Sequence, residues 1–370
     1  MKPAPRGLQI SSRRFVAETR WLCCLAGMMF MIPLAADDPT TSLDAFDKID
    51  CHVHLRYEGN QLAELARVMR FRLVNISTGH YESDWQATYA RYQQAHFPGT
   101  VAFIASFTMK GFPEPWWSDA TIGHIDRAVA HDDAIGVKIW KDVGMEYRKQ
   151  SGPYVLVDDE SMQPVLSHLE EQNLTLIMHI ADPIEYWRKP DAIADENRRK
   201  RLVQRGGLYV MHDKVDAPSH EDLIAARDRV LQRHPKLKVV GAHLGSLEHD
   251  LDELAIRLDR YPNFAVDTAA RMGDLAQYDR ETLRSFLIRY QDRILYGTDM
   301  SIKPQHNGDN QRIRLLDRWQ RDWNLLAGDA EVVYPAVRGE VKIQGLALPM
   351  PVLEKIYRKN ALQWFPGLTR

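Results

Sequence analysis

The stretch "KIDCHVHL", residues 48–55, decides how the rest of the chain is read. It runs from alternating apolar positions into two histidines one residue apart, His52 and His54. In an extended strand, side chains alternate between faces. Asp50, His52 and His54 are therefore expected on one face, with Cys51 and Val53 on the other. Two neutral imidazoles at fixed separation supply two corners of a first-row metal's coordination sphere. The pair alone proves little. With 14 histidines in 370 residues, chance supplies roughly one such pair in every two chains of this composition. Its meaning depends on what the other segments bring to meet it.

Seven further runs share the short, β-branched character of this one. After "FDKIDCHVH" (46–54) come "RLVNIST" (72–78), "TVAFIASF" (100–107), "AIGVKIW" (134–140), "LTLIMHI" (174–180), "LKVVGAHL" (237–244), "NFAVDT" (263–268) and "RILYGTD" (293–299). Amphipathic helical patterns lie between them. Met162, Val165, Leu166 and Leu169 fall at helical spacing behind a candidate cap at Ser161. Ser219 opens a capping-box-like start to a helix that Pro235 stops. Strand and helix alternating eight times predict an α/β fold, a (β/α)8 TIM barrel. Two irregularities interrupt the pattern: a long connection from 181 to 218, and a stretch from 331 to 349 that reads as a small hairpin.

In such a barrel, ligands gather at the carboxyl ends of the strands. His52 and His54 end the first strand, His179 the fifth and His243 the sixth, and Asp299 follows the eighth. Three imidazoles and a carboxylate make a metal site with an open position. Each residue also has a plainer reading. His179 can be a core histidine, His243 and Asp299 can cap the segments after them, and Asp50 suits a supporting hydrogen bond better than a metal bond. His80 and Arg271, after the second and seventh strands, are rim candidates for substrate contact. Trp116, Trp117, Tyr186 and Trp187 are placed over the mouth, either as loop packing or as a pocket for a flat or apolar substrate, with Trp187 a substrate-contact candidate.

The motifs "IDCHVHL", "LIMHI", "VVGAHLGS" and "LYGTDM", with the closing "VLEKIYRKNALQWFPG", resemble the amidohydrolase superfamily, and within it the amidohydrolase-related group often called family 2. The resemblance spans residues 46–367. It implies His52, His54, His179 and Asp299 as ligands of one divalent metal per chain, most simply zinc, with His243 polarising the substrate or steering a water. Relatives with two metals carry a bridging carboxylated lysine on strand four, where this chain has Lys138. That lysine can equally pair with a carboxylate. The resemblance to family 2 favours one metal.

The implied reaction is metal-assisted hydrolysis of an amide, ester or lactone. Asp299 is expected to take a proton from water, and His243 to stabilise the oxyanion. The rival reading keeps the site and changes the chemistry. Some members of the group decarboxylate aromatic or unsaturated acids, with Asp299 delivering a proton to carbon and Arg271 facing the carboxylate. A third reading, a catalytically dead binding protein, is disfavoured because the ligand set is complete.

The first 36 residues read as an export signal. Arg13 and Arg14 precede Phe15 in twin-arginine style, and the apolar run from Trp21 to Ala36 is too short for a membrane span of about 20 residues. Export to the periplasm or beyond is expected, the alternative being an uncleaved N-terminal anchor. Residues 37–370 form the barrel domain, with no stable membrane insertion once the signal is removed. Without residues 1–36 the chain carries 43 basic against 49 acidic residues, a balance of −6 that advertises no nucleic-acid partner. Cys51 is then the single cysteine, so no internal disulfide is expected. A small-molecule substrate is the expected partner, and a homo-oligomer is compatible with the sequence.

Overall fold

A computed structural model describes residues 42–56, 60–78, 85–194, 196–204, 209–302, 308–336 and 339–369. The export signal and His80 lie outside these residues. Nine strands form one parallel sheet: β1 (Lys48–Leu55), β2 (Phe71–Ile76), β3 (Val101–Ala105), β4 (Ala134–Ile139), β5 (Thr175–Met178), β6 (Val239–Gly241), β7 (Phe264–Asp267), β8 (Ile294–Leu295) and β9 (Met300–Ile302). From β1 to β8 each pairs with its neighbour in sequence, and β9 pairs with β1. That last pairing closes the barrel, with helices between successive strands, as the eightfold alternation predicts.

The count is nine because the eighth strand is broken. Its first half pairs with β7 and its second half with β1. Across the gap, Cys51 N–H bonds to Tyr296 O at 2.9 Å and Asp299 N–H to His52 O at 2.8 Å. Asp299 sits in the break with φ 59°, a left-handed conformation costing about 1–3 kcal/mol in a non-glycine residue. Gly297 makes the close approach to β1 possible: a Cβ there would lie 2.9 Å from the His52 Cβ.

The expected alternation along β1 fails at one point. Asp50 pairs with Leu73, but the next partner pair is Val53 with Asn75, so β1 carries a bulge between them. Cys51 packs inside the barrel with Ile49, Val74, Ile177, Val240 and Leu295. His52 also faces inward, reaching Lys138 on β4 and Asp267 on β7. Asp50 therefore turns outward, away from the two histidines. It accepts from Thr298 N–H at 3.0 Å, Thr298 Oγ1 at 2.7 Å and Trp319 Nε1 at 3.1 Å, tying the outer helix Gly308–Ala327 to the barrel wall. Burial raises the Asp50 carboxyl to about 6, against these hydrogen bonds.

Outside the barrel, Val53, Leu55, Leu73, Val137, Leu176 and Val266 meet the helices in the main core. Trp364, Phe365 and Leu368, from the C-terminal segment, join the interior cluster and plug the end opposite the histidines. Arg72, at the start of β2, donates to Leu368 O at 2.5 Å. The helix Gln163–Glu171 is led by a turn whose cap is Asp159, which accepts from Ser161 N–H, so Ser161 itself is not the cap. The helix His220–Arg233 opens with the expected capping box of Ser219 and Asp222. The stretch from 331 forms an antiparallel hairpin of β10 (Glu331–Ala336) and β11 (Gly339–Gln344). Among the described residues, no helix is long and apolar enough to cross a membrane.

Candidate metal centre and active site

Four imidazoles and one carboxylate meet at the carboxyl end of the barrel. His52 and His54 come from β1, His179 from just beyond β5, His243 from just beyond β6, and Asp299 from the break before β9. All four histidines are buried. Their rings form a chain, with centroids 5.1 Å apart for His52 and His54, 5.0 Å for His52 and His243, and 4.3 Å for His179 and His243.

Hydrogen bonds fix which nitrogen each ring offers. His52 Nδ1 lies 2.8 Å from Asp267 Oδ2, and His54 Nδ1 lies 2.7 Å from Ile76 O. Both partners are acceptors, so each Nδ1 carries the proton and each Nε2 presents a lone pair. The His54 Nε2 lone pair then faces Asp299 Oδ1 at 3.1 Å, with His52 Nε2 3.7 Å from the same oxygen. Acceptor against acceptor is repulsive unless a cation lies between them. Ligands about 2.0–2.2 Å from one ion stand at just such separations from each other. Burial holds His54 down at about 4, which disfavours a proton as that cation.

The ligand atoms of His52, His54 and Asp299 all lie within 4.8 Å of one another, the one such group among the described residues. His179 stands outside that triad, although both its ring nitrogens are buried without a hydrogen-bond partner. Such a ring has a strong claim on a ligand. These residues fit a divalent metal.

Asp299 is the most exposed member of the group, at 31%. Burial raises its carboxyl, but positive charge shared with the His54, His243 and His52 rings outweighs this and holds it well below the usual carboxylate range. His243 sits in a run of left-handed residues, with φ near 60° at His243, Leu244, Gly245 and Ser246. Such strain persists where the surroundings over-determine it, and it concentrates at functional sites. Its Nδ1 lies 2.8 Å from Ala269 O, which leaves Nε2 as an acceptor. Burial, with Arg271 nearby, pushes this imidazole well below its ordinary value. A neutral Nε2 acceptor suits steering a water, one of the two roles the resemblance implies for His243, better than donating to an oxyanion.

Lys138 points from β4 into the same space. Its Nζ lies 3.0 Å from His52 Nε2 and 4.5 Å from the centre of the Trp140 ring. Burial lowers it to about 8, opposed by Asp299 and Asp267. The expected metal content is about one equivalent per chain, with Lys138→Ala changing affinity less than about tenfold. Two equivalents by elemental analysis, one of them lost in this variant, would make Lys138 a bridge and His243 a ligand.

Arg271 lies at the rim, its Nε 3.4 Å from Glu248 Oε2. Burial lowers its pKa, but Glu248, Asp274, Asp182 and Asp299 together raise it. Trp187 is committed elsewhere: its indole N–H donates to Pro218 O at 2.7 Å and its ring meets His220 edge-on. Trp117 is buried against Phe107 and Phe112, and Tyr186 packs with Ile193, Leu202 and Val210. Trp116 and Trp117 line a cavity of about 390 Å³ with Phe107, Thr108 and His124, while Tyr186 and Trp187 are held by local packing.

Two site residues were not sequence candidates. Trp140 is the aromatic wall, its ring centre 5.7 Å from His54 and 5.8 Å from His179. Its position two residues beyond the inward Lys138 was the available signal. Asp267 holds His52 through Oδ2, and its Oδ1 accepts from His243 N–H at 2.8 Å and Ala269 N–H at 3.1 Å. Although burial opposes it, the His52 contacts lead in bringing this carboxyl down to about 2. Its signal was a lone carboxylate ending an apolar strand. Asp267→Asn is expected to weaken metal binding about 10–100-fold, the usual loss when a ligand's outer partner is removed. A competition titration against a chelator checks this, and unchanged affinity would count against His52 as a ligand.

A parallel barrel with imidazoles and a carboxylate converging at its carboxyl end defines a metal-dependent TIM-barrel enzyme. The amidohydrolase family model matches residues 49–367, and the chain belongs to that family. No curated protein sequence matches it. Among solved structures, the 2,6-dihydroxybenzoate decarboxylase from Rhizobium is similar at 15% identity, over 87% of this chain and 99% of that one, with a TM-score of 0.50. A Staphylococcus aureus protein ascribed to the amidohydrolases is similar at 14% identity, over 87% and 100%, also with a TM-score of 0.50. At these identities the likeness establishes the fold.

Proposed function

We propose that the chain is a hydrolase that opens an amide, ester or lactone with water. One observation carries the choice: Asp299 Oδ1 stands 3.1 Å from His54 Nε2 and 3.7 Å from His52 Nε2, at the mouth of the ligand cluster, where a carboxylate can accept a proton from an attacking water. His52, His54 and Asp299, with His179 as a further ligand, would hold a divalent cation, which would supply Lewis acidity and lower the pKa of water towards about 7. Asp299 takes the proton of the attacking water. His243 Nε2 accepts a hydrogen bond from that water and orients it. Asp267 keeps the His52 ring turned, and Trp140 walls the site against solvent.

A second reading, decarboxylation of an aromatic acid, is favoured by Arg271. Asp299 is among the carboxylates that raise the pKa of this guanidinium, and a charged Arg271 at the rim can hold a substrate carboxylate. Trp140 offers a flat wall for a ring. The Rhizobium protein whose fold this chain shares is such a decarboxylase. That reaction requires Asp299 to carry the proton it delivers, against the direction in which its carboxyl is shifted.

A panel of lactones, acylated amines and aromatic acids, run in ¹⁸O-labelled water, separates the two. Label in a carboxylic acid product is expected. Carbon dioxide release, with solvent deuterium appearing at carbon in a parallel run, is the contrary result.

We also propose export, with the mature chain beginning near Asp37. N-terminal sequencing of the exported protein tests this, and an intact Met1 would point to a retained anchor.

A further inference from the structure

Behind the wall of the metal centre lies the cavity that Trp116 and Trp117 line, about 390 Å³ in volume. Pockets for small molecules run from about 300 to 1,000 Å³. Its inner wall is the outward face of β3, and its sides are the helices Trp85–His96 and Pro115–Asp132. Ala87, Ala105, Ala120 and Ala128 line it and leave room that larger side chains would fill. Ser77 and Ser106 stand between this cavity and the metal. Ser77 O accepts the Trp140 indole N–H at 3.0 Å, and Ser106 Oγ donates to Lys138 O at 3.2 Å. None of the described lining residues belongs to the metal centre.

The mouth of the cavity carries a large ring that solvent reaches. Trp116 is 56% exposed, yet it is not a loose side chain. Its indole rests against Gly111, where a Cβ would come within 2.2 Å of the ring. Gly111 also has φ 90°, a conformation glycine takes at no steric cost, so one residue makes both the turn and the seat for the indole. An aromatic face held in place at a cavity mouth gains from being covered by a second ring. Deeper in, Phe107 and Trp117 meet edge-on with ring centres 5.8 Å apart. The Trp117 indole N–H is already taken by Thr108 O at 3.0 Å. These walls therefore offer ring surface and no indole donor.

The charged side chains that line the cavity are Lys110, Arg127 and Asp132. Asp132 is paired with Arg91, which leaves the balance positive. Arg127 makes no hydrogen bond or ion pair with another described residue. Its Nη1 reaches back towards Gly123, one turn nearer the tryptophans, where a Cβ would lie 3.6 Å from it. A guanidinium can meet both oxygens of a carboxylate at once. We infer that this cavity binds an aromatic carboxylate, its ring between Trp116 and the Phe107–Trp117 pair and its carboxylate on Arg127. A neutral ring would leave Arg127 unmatched, and an organic cation would meet like charge. The inference stands apart from the reaction proposed at the metal centre.

The probe is 2-naphthoate, with 2-naphthamide as its neutral isostere, titrated calorimetrically into the metal-loaded full chain at pH 7 and into His54→Ala. One equivalent of naphthoate is expected in both proteins, bound at least fivefold tighter than the amide. The equivalent that counts is the one present in His54→Ala, and its absence there overturns the site by placing the ligand at the metal. Trp116→Ala should weaken that equivalent at least tenfold. Arg127→Gln should bring acid and amide within twofold of each other. Both side chains are exposed, so neither change threatens the fold. Unchanged affinity in Trp116→Ala, or an undiminished preference for the acid in Arg127→Gln, refutes the inference. Ala120→Trp fills the cavity from an exposed helical position. Abolished binding there supports the site, and retained binding refutes it.

Discussion

His54→Ala and His52→Ala proteins are expected to purify with less than a tenth of the wild-type metal, and to lose more than the 100-fold or so that removal of an outer partner costs. Each variant removes a lone pair whose direction is fixed from behind, by Ile76 O for His54 and Asp267 for His52. Alanine leaves a gap among buried residues that water fills without the same donor strength. Elemental analysis after dialysis checks the outcome, and metal retained by both variants would disprove the site. Cys51→Ala is the control, and it should keep its metal. The thiol faces the barrel interior with His52, so direction does not excuse it. Burial raises its pKa well above the ordinary value and keeps it protonated, a neutral filler beneath the site.

Much of this centre is legible from residue type and position alone. An apolar strand ending in a histidine has few uses, and three such strand ends in an eightfold alternation restrict them further. The features that escape the sequence depend on partners distant along the chain. The β1 bulge that turns Asp50 outward arises from pairing with β2, and no feature of "KIDCHVHL" announces it. The break in the eighth strand is set by the gap that β1 leaves for closure. Asp267 and Trp140 matter through the residues they touch, more than 80 positions away for His52 and His54 alike. The loop tryptophans divide: Trp116 and Trp117 line a cavity, as their bulk suggests, whereas the Trp187 indole N–H is bound locally by Pro218.

Asp299→Asn is expected to cut turnover about 10²–10⁴-fold at saturating metal, the usual range for a lost general base. Asparagine preserves the shape and one acceptor oxygen, so the fold and part of the metal affinity should survive. The capacity to take a proton disappears. The pH profile of the unmodified enzyme gives an independent sign. Histidine contacts hold the Asp299 carboxyl well below the usual range, so its ionised form persists through pH 4, where a free carboxylate of pKa about 3.9 is already half protonated. A base in that state gives no loss of rate between pH 7 and 5 on its own account. A proton donor at the same position behaves in reverse, its active form growing as pH falls. Turnover that climbs steadily below pH 6, and loses that climb in Asp299→Asn, would transfer the chain from hydrolysis to decarboxylation while leaving every ligand where it stands.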